Sequence, residues 1–223
     1  MRKLCVAVLL VAGFASAEDL TPPPLPNSAP SGEGQSWSVV GARTAGLNKN
    51  VLEAGLGWPG VYASFTHGFL PNLDLGARAA FTYGLEGMVS TVYPGLKFQG
   101  LIRFRFVDTG KISLSASFEP GPFFWFAYGG VTYTGFAIPI GVKLGIAAAS
   151  ALTIGISFDV PMWVQFGPGG GLNVPFLTGL GVEYFVRSDL ALFAKTRMGP
   201  VLRTSYYRAE FAFDASLGVA WRF

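Results

Sequence analysis

The sequence predicts an all-β fold: a transmembrane antiparallel up-and-down β-barrel of about ten strands, within a range of about eight to twelve. Three observations point there. Large apolar and polar residues alternate along most of the 223-residue chain; 51% of residues are hydrophobic while only 13% are charged; and the N-terminus has the form of an export signal. Alternation at period two marks strands with one apolar face. The charged content is about half that of a typical soluble domain.

Arg2 and Lys3 precede an apolar run over 4–14, and Ala15, Ser16 and Ala17 supply small residues for cleavage. Residues 1–17 therefore read as a signal peptide, with the exported protein starting at Glu18. The single cysteine, Cys5, lies in the segment that would be removed, so neither a disulfide nor a lipid anchor is expected. Without Arg2 and Lys3 the 16 basic residues become 14, against 13 acidic ones. No basic stripe remains to neutralise phosphates, and no nucleic-acid partner is expected. Residues 18–36 carry Pro22, Pro23, Pro24, Pro26 and Pro30 among small polar residues, which reads as an extended periplasmic spacer. Residues 37–223 show no further boundary and form one barrel domain.

The last segment sets the strand pattern. Phe211, Phe213, Ala215, Leu217, Val219, Trp221 and Phe223 alternate with Glu210, Asp214, Ser216, Gly218 and Arg222. Upstream, Leu96, Phe98, Ile102, Phe104 and Phe106 alternate with Lys97, Gln99, Arg103 and Arg105, and a tight turn at Asp108, Thr109 and Gly110 leads into the next run. The same reading places strands near 36–45, 51–67, 73–84, 95–107, 111–127, 136–147, 151–166, 172–186, 190–200 and 209–223. Short turns at 71–72, 108–110, 148–150 and 187–189 fall at the periplasmic end, and loops at 85–94, 128–135, 167–171 and 201–208 fall outside. From Leu73 onward the charged residues share one parity with Gly, Ser and Thr. The first strand departs from this, because Trp37, Val39 and Arg43 share a parity. The second changes parity near Pro59 and Gly60, which reads as a β-bulge.

Alternation alone does not say which face is inside. A soluble barrel of lipocalin type would turn its hydrophobics inward, but about ten strands with five to seven large apolar residues each would overfill so small a barrel. The apolar face therefore belongs outside, against lipid. Glycines at 76, 141, 145, 155, 179, 181 and 218 share the charged parity and leave space in a crowded interior. A helical membrane protein is the other alternative, since 120–142 and 160–182 are uncharged. Gly129, Gly130, Pro139, Pro161 and the run over 167–171 would break such helices.

Leu217, Val219, Trp221 and the terminal Phe223 resemble the closing-strand signature of Gram-negative outer-membrane β-barrels. The resemblance implies outer-membrane localisation. It also implies that this strand is the assembly signal, read by the barrel assembly machinery.

Little in the sequence points to catalysis. The sole histidine, His67, with Ser64 and Asp74 would make a Ser/His/Asp set, but these positions lie near the inner turn at Pro71 and Asn72. One histidine and no retained cysteine make a zinc site unlikely in composition, and no cofactor is expected. The glycines over 167–171 lack the Lys-Ser/Thr ending of a phosphate loop. Phe123, Phe124, Trp125, Phe126 and Tyr128 read as an aromatic girdle at the outer rim. Inward charges are expected to form a lumen ion-pair network: Asp74 with Arg103 or Arg105, Glu119 with Lys143, and Lys195 and Arg197 with Asp214 and Glu210. The reading is a non-enzymatic outer-membrane barrel with a structural or surface-interaction role, set in outer-membrane lipid. A narrow, weakly anion-preferring channel or hydrophobic-solute transporter is the alternative, and a membrane enzyme a remote one. The pattern leaves the oligomeric state open.

Overall fold

A computed structural model describes residues 35–84, 88, 92–126, 132–167, 170–204 and 209–223. The expected signal peptide and most of the expected spacer lie outside these residues. Twelve strand segments follow one another: β1 (Asn50–Trp58), β2 (Gly60–Leu70), β3 (Leu73–Thr82), β4 (Gly95–Asp108), β5 (Ile112–Phe118) and β6 (Gly121–Phe126). The second half comprises β7 (Thr132–Ala149), β8 (Leu152–Phe166), β9 (Gly171–Pro175), β10 (Leu177–Arg187), β11 (Leu190–Arg203) and β12 (Ala209–Arg222). β5 and β6 both pair with β4 and β7 in a register that the break at Glu119 and Pro120 does not shift. β9 and β10 are likewise one stave between β8 and β11. Ten antiparallel staves result, and β1 pairs with β12 to close them into a barrel with no free edge.

The pleat sorts the side chains. In β10, Leu180, Val182, Tyr184 and Val186 are exposed on the outside, while Gly181, Glu183 and Phe185 turn inward. Leu56 is 63% exposed and Leu217 62% on adjoining staves, although both are apolar. A surface of this kind is stable only against hydrocarbon, and a closed barrel satisfies its backbone polar groups there by inter-stave hydrogen bonds. The uncharged stretches over 120–142 and 160–182 contribute to strands, and no helix of the described residues is long and apolar enough to cross a membrane.

Two expected strands are corrected. Residues 36–45 form no strand; 37–45 are buried inside the barrel. The stretch 51–67 belongs to two strands, β1 and β2, joined by a hairpin at Pro59. The parity change that reads as a bulge is the chain doubling back. Gly57 and Gly60 flank that hairpin because neighbouring backbone comes close: a Cβ at Gly57 would lie 2.0 Å from the Ala215 carbonyl oxygen, and one at Gly60 2.1 Å from that of Phe81. Both chain ends of the barrel lie at the end with the short turns, where Asn50 and Phe223 exchange backbone hydrogen bonds of 2.8 and 2.9 Å.

Candidate functional site in the lumen

The lumen is built in three layers. At the turn end, residues 37–45 run up into the barrel as a plug held by side chains of the wall. Trp37 packs edge-on against Phe185 at 5.3 Å and donates its indole N–H to the Ser188 carbonyl at 2.8 Å. Glu183, fully buried, accepts from the Ser38 hydroxyl and, at 3.1 Å, from the Val39 N–H. Asp74 accepts from the Ala45 N–H at 3.0 Å and from Arg103 at 2.6 Å, and Arg103 also donates to the Ser38 carbonyl at 2.8 Å. Arg43 reaches the Gly110 carbonyl and lies 3.5 Å from Asp108. The plug needs bare backbone around it. A Cβ at Gly155 would lie 2.4 Å from the Val40 carbonyl oxygen, one at Gly181 2.5 Å from Val40 Cγ1, and one at Gly145 2.8 Å from Ala42 N.

Above the plug lies a chamber of about 170 Å³ with Val39 and Val40 among its lining residues and charged side chains around its wall. Lys195 pairs with Glu53 at 2.9 Å, and Tyr62 donates its hydroxyl to Glu53 at 2.6 Å. Arg78 pairs with Glu119 at 2.7 Å. Arg197 pairs with Asp214 at 2.6 Å and lies 3.5 Å from Asp159. At the loop end an aromatic cluster fills the lumen: Phe123, Trp125, Trp163 and Met88 are essentially without solvent exposure, and the Phe123 and Trp125 rings stack at 4.0 Å.

Of the residues singled out in the sequence, Asp74 meets Arg103 and Arg197 meets Asp214 across adjacent staves. Arg105 instead meets Asp108 at 2.5 Å, and Glu210 meets Arg203 at 2.9 Å. The expected register of Glu119 against Lys143 is corrected. The hairpin folds closer to Phe126, so Ser115 stands opposite Lys143, and Glu119 donates its backbone N–H to the Pro139 carbonyl. Phe123 and Trp125 are likewise corrected from a lipid-facing girdle to the lumen, leaving Phe124 and Phe126 on the outside. The pleat requires this, because consecutive aromatics point to opposite faces. Tyr128 lies outside the described residues. Leu217, Val219, Trp221 and Phe223 are all exposed on the outer face of the closing stave.

The Ser/His/Asp set is not assembled. Ser64 turns inward, donating to Glu53 at 3.2 Å, whereas His67 stands on the opposite face of β2 with Nδ1 2.9 Å from Asn50 Oδ1. The plug was not read as such, although Trp37, Val39 and Arg43 sharing one parity is the signal that it is surrounded on all sides.

A closed antiparallel barrel with an apolar exterior and a charged, filled interior defines an integral membrane protein of the outer-membrane β-barrel type. No protein-family model matches the chain, and no curated protein resembles it in sequence. Among solved structures it is similar to the outer membrane protease OmpT from Escherichia coli, at 9% identity, 79% coverage of this chain and 97% of that one, and a TM-score of 0.49. It is also similar to the KdgM porin, at 10% identity, 78% and 99% coverage and a TM-score of 0.39. The toluene transporter TodX of Pseudomonas putida matches at 10% identity, 86% and 95% coverage and 0.35. These proteins differ from one another in activity, and at such identities none lends its role to this chain.

Proposed function

We propose that the protein is an occluded, non-enzymatic barrel of the Gram-negative outer membrane with a structural or surface-interaction role. The observation that carries this reading is the plug: 37–45 occupy the turn end of the lumen while aromatic side chains occupy the loop end. Packed side chains at both ends of the lumen support a barrel without the continuous aqueous path that conduction needs. In this reading 1–17 direct export, 18–36 form a periplasmic spacer leading to the plug, and the ion pairs brace the wall between plug and cap. The exposed alternation of Leu217, Val219, Trp221 and Phe223 serves as the assembly signal. Planar-bilayer recording tests the occlusion. The exported chain is expected to show no stable conductance, and deletion of 37–45 to raise conductance at least intermittently; a steady open level in the unmutated protein means that the barrel is a pore.

A further inference from the structure

Among the described residues, one cation of the chamber between plug and cap makes no direct ion pair, although Glu119 and Asp159 act on it through space. Lys143 projects inward from β7 and borders both the 170 Å³ chamber and a smaller cavity of about 40 Å³ beneath it. Among the described residues no hydrogen bond or ion pair holds its ammonium group. The carboxylates of the chamber are committed elsewhere: Glu119 to Arg78, and Asp159 and Asp214 to Arg197. Other polar groups nearby are also unpartnered. Arg78 Nε and the Thr82 hydroxyl, both in the chamber wall, and the Ser115 hydroxyl, opposite Lys143, are buried without a hydrogen-bond partner. Buried polar groups of this kind are costly unless something bonds to them.

Part of the remaining lining is apolar. Val39 and Val40 of the plug face Trp58, Pro59, Pro161 and Leu177 across the space. We propose that the chamber is a binding site for an amphipathic carboxylic acid, its carboxylate seated against Lys143 and its apolar body against the plug and the upper wall. β1 stops at Trp58, opposite Ala215, and beyond it Met88 bridges Ala212 of β12. On the outer surface at this place lies an apolar groove of about 490 Å³, between Leu56, Leu180, Val182, Ala194 and Leu217. The acid can thus be a short free solute held wholly inside or the head of a long-chain acid whose tail rests in the groove. The proposal does not depend on whether the lumen conducts.

Equilibrium dialysis of the full exported chain in nanodiscs, with hexanoate, hexanol and oleate as probes, tests this. Hexanoate is expected to bind saturably and at least tenfold more tightly than hexanol, a comparison that needs no variant. Lys143→Gln should lower hexanoate affinity at least tenfold and leave hexanol unchanged, while Lys143→Arg should retain most of the binding; heat-modifiable mobility confirms that each variant is folded. Oleate bound tenfold tighter than hexanoate, with the gain lost in Ala194→Trp, identifies a long-chain acid as the source, and equal binding identifies a short free acid. Hexanoate bound no better than hexanol, or undiminished by Lys143→Gln in a folded barrel, overturns the proposal.

Discussion

Asp74 serves two partners at once, a wall cation in Arg103 and the plug backbone at Ala45. Among the described residues Glu183 has no cation in hydrogen-bond reach, and plug groups satisfy it: the Ser38 hydroxyl and the backbone N–H groups of Val39 and Val40. The two carboxylates should therefore respond differently to removal of the plug. Asp74→Ala strands Arg103 in a buried site and is expected to cost about 3–5 kcal/mol in the complete chain, and only part of that without the plug, where water reaches Arg103. Glu183→Ala leaves only neutral donors unpaired and is expected to cost about 1–3 kcal/mol in the complete chain. That second loss should vanish in a chain lacking 37–45. Urea unfolding in detergent, run as two double-mutant cycles that set each substitution against deletion of 37–45, measures both.

At the scale of the element, the plug is a segment without regular pairing that the wall accommodates by omitting side chains. Gly155 and Gly181 face Val40, and a larger residue there has nowhere to go, since strand backbone lies behind it. Gly181→Leu is expected to expel the plug while the staves stay paired. Limited proteolysis should then cut within 35–45 at least tenfold faster than in the unmutated protein; unchanged cleavage would count against a snug plug.

The sequence made the staves legible because each shows one apolar face to lipid, and residues from Leu73 onward follow that rule through β12. It failed where a different rule operates. Trp37, Val39 and Arg43 are enclosed on all sides, so alternation has no meaning for them. Around Pro59 the alternation resumes on the other parity, and one-dimensional spacing does not separate a bulge from a short hairpin. The aromatic run from Phe123 to Phe126 looks like a belt by composition, yet the pleat sends Phe123 and Trp125 inward as a cap. The pairing of Asp74 with Arg103 was readable although a long loop joins their staves, because both lie on the inward parity at matching distances from it. In the β6–β7 hairpin the centre of the loop lies earlier in the chain than the spacing suggests, and Ser115 rather than Glu119 stands opposite Lys143.

For the whole molecule, closure is the step that removes the last two exposed strand edges. β1 has nine residues and pairs with β12 over Val51–Trp58 only, while β12 pairs with β11 along nearly its whole length. Phe223 lies at the end of that seam, exchanging backbone hydrogen bonds with Asn50 and packing its ring 4.7 Å from that of Trp221. Deletion of Phe223 is expected to reduce outer-membrane insertion several-fold with synthesis unchanged, read as loss of the heat-modifiable band in membrane fractions. A normal band in the deletion variant would assign assembly information elsewhere in the barrel.

The position of the plug also governs how the barrel bears a mechanical load. Both ends of the barrel chain meet at the β1–β12 seam, so tension applied directly to Asn50 would act on that seam as an unzipping force. Tension on the segment preceding the plug meets Glu183, Asp74 and Arg103 first, and these transfer it to three other staves as shear. The plug is thus a strain relief for the seam, in the way that a cord is clamped before it reaches its terminal. Pulling from the N-terminal side in single-molecule force spectroscopy should release 37–49 as a separate first step of about 45 Å, at about 3.3–3.6 Å per residue, before any stave peels away. In a chain with Glu183→Ala and Asp74→Ala together, that step should disappear and the β1–β12 seam should be the first thing to yield.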